Sequence, residues 1–167
     1  MEYLLLFFEY IYIRVGFFLR SLTLSLLLYF GITIFSCYCD YSRSAASMHS
    51  NIVTVLGILL GFSISSLTIL LTIDNKNIRK AKEKSLGKTL YGKSVSLYDG
   101  VLVGMAYAVI SQCILLIFNL VYPIFVNIIS LCGFKLFALN IAILLHVILC
   151  LMREILNFYF VITKKDD

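Results

Sequence analysis

Between Ile52 and Ile73 the chain runs 22 residues without a charge and then enters a loop dense in lysine. A helix needs roughly 20 predominantly apolar residues to cross a hydrocarbon core about 30 Å thick, so this run reads as a membrane span. Three further runs meet or approach that length: Ser21 to Cys39 with 19 residues, Gly100 to Phe134 with 35, and Leu136 to Met152 with 17. The longest run holds more than one crossing. Pro123 donates no backbone hydrogen bond and restricts its predecessor, which predicts that a third span near Val101 to Tyr122 ends there. A short outer turn near Val126 to Lys135 follows, and the fourth span extends past Arg153 if that side chain snorkels to the interface. The chain is 61% hydrophobic, against about 45–50% in soluble domains. The expected fold is an all-α membrane protein, one domain over residues 1–167, with spans at 17–39, 51–73, 100–122 and 136–160 and a basic loop at 74–99.

The first 20 residues do not read as a signal peptide, which would start basic and end in a small-residue cleavage site. Glu2 and Glu9 here precede Arg14 and Arg20 among Leu4, Leu5, Leu6, Phe7, Phe8 and Ile11. One straight helix from Tyr3 to Cys39 would be about 55 Å long, too long for a bilayer, so residues 1–16 are expected to form an interfacial helix bending near Gly16. Phe7, Phe8, Tyr10, Tyr12, Phe17 and Phe18 suit the headgroup boundary. Orientation follows from the cations. With both termini and the 74–99 loop inside, 12 of the 14 Lys and Arg residues are cytoplasmic, leaving only Arg43 and Lys135 outside. The expected location is the inner (plasma) membrane.

Thr54, Gly57, Gly61, Ser65, Thr68 and Thr72 recur every three or four residues along one face of the second span. Small residues let helices approach closely where the hydrophobic effect cannot drive association. The third span repeats the pattern with Gly100, Gly104, Ala108 and Gln112. In an antiparallel hairpin, Thr72 and Thr68 are expected to meet Gly100 and Gly104, and Ser65 to meet Ala108. Gly57 and Gly61 are then left for another helix of the bundle or for a second subunit.

Intramembrane polar groups are candidates for function because hydrocarbon offers them no water. Gln112 and Asn119 share a face of the third span, and Asn140 and His146 lie on the fourth. His146, Cys150, Arg153 and Asn157 form a stripe that would line a narrow vestibule, with His146 and Arg153 as its pore-lining residues. Alternatively, His146 is a neutral histidine bonded to Gln112, Asn119 or a carbonyl, and Arg153 is an interfacial anchor. Asp74, Asp99 and Glu154 all fall near the inner boundary, which speaks against a proton-coupled transporter. Cys37, Cys39, Cys113, Cys132 and Cys150 lack zinc-site spacing and read as packing residues, with an outer disulfide to Cys132 as the alternative.

The loop carries Lys76, Arg79, Lys80, Lys82, Lys84, Lys88 and Lys93 against three acids. Its cations can set topology, attract anionic lipid or dock an acidic soluble partner, and its first half can continue the second helix into the cytoplasm. Direct nucleic-acid contact is not expected, because aromatic stacking residues are limited to Tyr91 and Tyr98. No G-x-S-x-G, H-E-x-x-H or Walker motif occurs, so neither catalysis nor a metal or other cofactor is expected.

The stretch N-I-V-T-V-L-G-I-L-L-G-F-S-I-S-S-L-T-I-L-L-T leading into D-N-K-N-I-R-K-A-K, followed by S-L-Y-D-G-V-L-V-G, resembles the KwaA family of small membrane proteins in the bacterial Kiwa antiphage defence system. The resemblance covers mainly residues 50–122. It implies an inner-membrane homo-oligomer, plausibly a tetramer, that senses phage attack at the envelope and works with a KwaB-like cytosolic DNA-binding partner. The loop from Lys76 to Lys93, the terminal helices and Arg153 would then be the docking surface. A membrane-permeabilising effector and a small channel or transporter are the rival classes.

Overall fold

Lipid supplies no water to a bare backbone, so each long apolar run closes its hydrogen bonds within a helix. The computed structural model describes residues 2–35, 42–128 and 133–163. Cys37, Cys39, Cys132, Lys164 and Lys165 lie outside the described residues, as does much of the expected outer turn. The elements are α1 (Glu2–Phe35), α2 (Ser42–Thr72), α3 (Lys76–Glu83), β1 (Ser85–Leu90), β2 (Lys93–Ser96), α4 (Leu97–Ile128) and α5 (Gly133–Thr163). Among the described residues, four helices are long and apolar enough to cross a membrane, over Leu5–Ile34, Met48–Thr72, Leu97–Ile124 and Phe134–Thr163. Leu27, Phe30, Ile34, Ile58, Ile114 and Ile117 stand exposed on their surfaces. Water would not tolerate so extended an apolar exterior, and lipid requires it.

α4 touches every other element and is the centre of the bundle. One core cluster joins Ile52 and Leu56 of α2 to Leu115 and Tyr122 of α4 and to Phe137 and Val147 of α5. A second, at the loop end, joins Leu70, Ile78, Ala81, Val101, Met105 and Val161. α4 does not end at Pro123 but runs on to Ile128. Proline forfeits only one intrahelical bond, to the Asn119 carbonyl, and membrane helices tolerate that loss where neighbours hold them. Buried Tyr122 and Asn119 supply the hold.

The bend in α1 falls at Arg14, not Gly16. Arg14 has φ −122° and ψ 26°, outside the helical region. The bend is sharp, because the rings of Phe7 and Phe18 lie 6.1 Å apart and those of Tyr10 and Phe18 6.4 Å apart. Eleven residues of straight helix would rise about 16 Å. The arm before Arg14 therefore folds back beside the arm after it. The second arm, residues 15–34, is about 30 Å long and suffices for a crossing. The first arm is not a flat interfacial helix. Tyr10 is fully buried and stacks on Tyr107 of α4 at 3.9 Å, and Leu6 and Phe7 line a cleft against α4 and α5. Lys88 closes the corner by donating from Nζ to the Tyr12 carbonyl at 2.6 Å and the Ile13 carbonyl at 3.1 Å, two acceptors released where the helix breaks.

The basic loop is a small folded lobe, so among the described residues the protein is helical apart from one two-stranded sheet. α2 stops at Thr72, and Asn75 caps a separate α3 by accepting from the Ile78 amide at 2.8 Å. β1 and β2 pair antiparallel through a two-residue turn at Tyr91 (φ 50°) and Gly92 (φ 77°). Two positive φ values in succession suit the right-handed twist of a hairpin. Ser96 and Asp99 then form a capping box on α4, with Asp99 Oδ2 accepting from the Ser96 amide at 3.0 Å and the Asp99 amide donating to Ser96 Oγ at 3.1 Å.

Candidate functional site

The bundle interior carries polar side chains at successive levels along α4 and α5. Farthest from the lobe, His49 stacks on Tyr122 at 5.2 Å. Next, Asn119 and Asn140 exchange amide bonds, Nδ2 of each donating to Oδ1 of the other at 3.0 and 2.7 Å. Gln112 then donates from Nε2 to Ser63 Oγ of α2 at 3.0 Å. At the next level His146 sits between two hydroxyls, Ser21 Oγ 3.0 Å from Nδ1 and Tyr107 Oη 3.1 Å from Nε2, with Cys150 Sγ 3.7 Å from Nε2. A hydroxyl can donate or accept, so both nitrogens of a neutral imidazole are satisfied in either tautomer. Lipid gives such groups no other partner. The partners of His146 are therefore neither Gln112 nor Asn119, as expected from depth alone, but side chains on α1 and α4.

At the lobe end Glu154 is fully buried. Its Oε2 accepts from Asn157 Nδ2 at 3.0 Å and lies 3.9 Å from Arg14 Nη2. Glu154 Oε1, Arg14 Nε and Nη2, and Tyr10 Oη are buried without a hydrogen-bond partner. Gly104 has no side chain because Glu154 occupies that space; a Cβ there would meet the carboxylate and lie 2.8 Å from Glu154 Cγ. At Gly100 a Cβ would come within 2.6 Å of Leu86 Cδ1 and 3.7 Å of Arg14 Nη2. These glycines admit the ion pair and the hairpin, and do not meet Thr68 and Thr72 as the expected pairing had it. The stripe does not share one cavity: His146 borders the cleft lined by Leu6 and Phe7, Cys150 is buried, Asn157 is turned to Glu154, and the Arg153 guanidinium lies over the Phe17 ring at 4.2 Å. That last contact holds the Arg153 side chain of α5 against α1.

The α2 stripe has the opposite exposure from the one expected for its inner half. Thr54, Gly57, Gly61, Ser65, Thr68 and Thr72 are all exposed, and among the described residues nothing lies within 4 Å of a Cβ built at Gly57 or Gly61. Ser65, Thr68 and Thr72 return their hydroxyls to carbonyls of their own helix. α2 packs inward through Ile52, Leu56, Ser63, Ser66 and Leu70 instead. Ala108 is buried, but without Ser65 beside it on α2's packed face.

The lobe's cations have distinct surroundings. Arg79 binds Asp74 through two contacts at 3.0 and 2.7 Å, and its guanidinium holds that exposed carboxyl below the usual carboxylate range. The pair's contribution is present above the ordinary carboxylate pKa and is lost as pH falls through the lowered one. Lys82 lies over the Tyr98 ring at 4.8 Å, and Lys88 holds the α1 corner. Lys80 and Lys84 line a pocket against α5, while Lys76 and Lys93 are exposed.

Tyr10, Ser21, Tyr107, Ser63 and the pairing of Arg14 with Glu154 are absent from the site expected from sequence. Arg14 carried a signal, since a cation inside an apolar stretch calls for a partner. The chain matches no protein-family model, no curated protein and no solved structure.

Proposed function

We propose that this chain is the oligomeric, non-enzymatic inner-membrane component of a bacterial antiphage defence system of the Kiwa type, with the C-terminus and the basic lobe in the cytoplasm. It senses phage attack at the envelope and docks a cytosolic DNA-binding partner on the lobe. The observation that carries this reading is the attachment of a folded basic lobe to the membrane bundle. Ile78 and Ala81 seat α3 in the core formed with Leu70 and Val101, and Lys88 ties the hairpin to the α1 corner next to the Arg14–Glu154 pair. A rearrangement of the spans is thereby transmitted to the docking surface through packed contacts. Replacing Lys76, Lys82 and Lys93 by Gln is expected to abolish capture of a DNA-binding protein from the cytosol while leaving membrane insertion intact. Undiminished capture would remove the lobe from the reading.

The outward stripe of α2 supports the homo-oligomer, since Gly57 and Gly61 offer close backbone approach and meet nothing among the described residues. Gly61→Leu is expected to reduce the particle to a smaller species in detergent; an unchanged size would reject this face as the intersubunit contact. A second reading, a pore-forming effector or small channel, draws on the seam of buried polar groups from Asn119 to Glu154. Expression without a partner depolarises cells under that reading and is harmless under the first.

A further inference from the structure

Leu6 and Phe7 on the first arm of α1, Ile114 and Phe118 of α4 and Ile143 of α5 wall a cleft of about 390 Å³. Phe7, Ile114 and Ile143 are also exposed on the outer surface, so the cleft opens sideways to hydrocarbon. Among the described residues no lysine, arginine or carboxylate lines it; its polar side chains are Tyr107, Ser111 and His146, at its lobe end. The spans Leu97–Ile124 and Phe134–Thr163 put these three within about one turn of their midpoints. A charged headgroup is too costly at that depth, and a phospholipid keeps its polar groups at the interface. The cleft therefore suits an uncharged molecule from the bilayer with an apolar body and one hydrogen-bonding group.

The bonds around His146 give that group its direction. Ser21 Oγ donates to the Phe18 carbonyl at 3.0 Å, which can only accept, so His146 Nδ1 carries the imidazole hydrogen and donates to Ser21 Oγ at 3.0 Å. Nε2 is then an acceptor, and Tyr107 Oη donates to it at 3.1 Å; the Cys150 thiol, at 3.7 Å, is the weaker donor. With its own hydrogen committed, Tyr107 Oη accepts from the Ser111 hydroxyl. The relay thus ends at the cleft in the lone pairs of Ser111 Oγ, and a ligand completes it by donating. Phe7, Tyr107 and Phe118 make the walls aromatic, which suits a flat ring.

We propose that this cleft binds a lipid-soluble phenol, an uncharged aromatic ring whose hydroxyl donates to Ser111 and whose alkyl tail leaves between Ile114 and Ile143 into the bilayer. Because Leu6 and Phe7 form one wall, the ligand packs the first arm of α1 against α4 and α5. This goes beyond the defence reading and does not rest on it, since among the described residues no part of the lobe lines the cleft.

The full chain, purified in a neutral detergent, tests this by thermal unfolding with added para-decylphenol, its methyl ether para-decylanisole, decanol or short-chain phosphatidylcholine. Decylphenol is expected to raise the melting temperature saturably, and the other three are not at the same concentration. Ser111→Ala should weaken the apparent affinity about 3-fold, the share of one hydrogen bond inside a membrane. Ile143→Trp fills the cleft without touching its polar end and should abolish the response. Met152→Trp, at an exposed position of α5 that does not line the cleft, should respond as the parent does. No stabilisation by decylphenol, or an undiminished response in Ile143→Trp, overturns the site. Decylanisole matching decylphenol, or an unchanged affinity in Ser111→Ala, overturns the donated hydrogen bond and with it the proposal. A match by decanol overturns the ring, and a match by phosphatidylcholine leaves an acyl chain as the occupant. If Ile143→Trp fails to fold, Ile114→Trp on the α4 wall decides the same question: a parental response overturns the site.

Discussion

Glu154→Ala is expected to destabilise the folded bundle by about 3–5 kcal/mol, the usual penalty when one partner of a buried ion pair is removed. Glu154 has no exposed surface, and the Arg14 side chain is 12% exposed. Removing the carboxylate leaves a guanidinium whose Nε and Nη2 already lack hydrogen-bond partners, in a space bounded by Gly100 and Gly104. Arg14→Ala should cost a comparable amount, because it strands the carboxylate. The double variant Arg14→Ala/Glu154→Ala should cost clearly less than the sum, since neither charge is then left alone. Glu154→Gln keeps the volume beside Gly104 and one acceptor for Asn157, and should fall between wild type and Ala. Reversible unfolding in mixed micelles, followed by helical circular dichroism, measures all four. Strict additivity would show that the two groups, 3.9 Å apart, do not act as a pair.

The division of this chain into spans was legible because length and charge alone decide it. All but the last residue of the Ile52 to Ile73 run falls inside α2, and Leu136 to Met152 falls inside α5; neither helix needs a tertiary contact to be recognised. Which face of each helix turns inward was not legible. On α2 the small stripe and the packed face Ile52, Leu56, Ser63, Ser66 and Leu70 both repeat at helical spacing, and both are made of residues at home in lipid. Without a hydrophobic contrast, periodicity cannot choose between them. The polar seam was half legible: Gln112, Asn119, Asn140 and His146 announce themselves by type, but Gln112 and His146 find their partners in Ser63 of α2, Ser21 of α1 and Tyr107 of α4, which do not. Only in the Asn119–Asn140 pair do two expected candidates meet. The hairpin did leave a local signal that charge counting obscured. Ser-Leu-Gly-Lys-Thr-Leu and Lys-Ser-Val-Ser flank the dipeptide Tyr91–Gly92, a two-residue turn between short alternating strands. Gly16 was the wrong place for the bend because glycine permits a break without causing one. Arg14 breaks the helix where its side chain reaches Glu154 and Lys88 receives the released carbonyls.

Tyr107→Ala is expected to release the first arm of α1 from the bundle and to cost about 3–5 kcal/mol, in line with deletion of a large buried aromatic ring. The Tyr107 ring is the surface on which Tyr10 stacks at 3.9 Å with an interplanar angle of 5°, and Phe7 packs at 5.7 Å against the same ring. Its hydroxyl also serves His146 Nε2. The two contributions separate by substitution. Tyr107→Phe keeps the stacking platform and removes one hydrogen bond, which in membrane proteins is worth about 0.6 kcal/mol on average. The arm should stay docked, with His146 still held by Ser21 at Nδ1. Trypsin supplies the structural readout. Arg14 is sheltered at the corner while the arm is packed, and release of Tyr10 draws it away from Glu154. Cleavage after Arg14 should therefore be rapid in Tyr107→Ala and slow in both Tyr107→Phe and wild type. Equal cleavage in all three would mean that the arm is held by its corner contacts with Glu154 and Lys88 alone, and that the aromatic stack carries none of the docking.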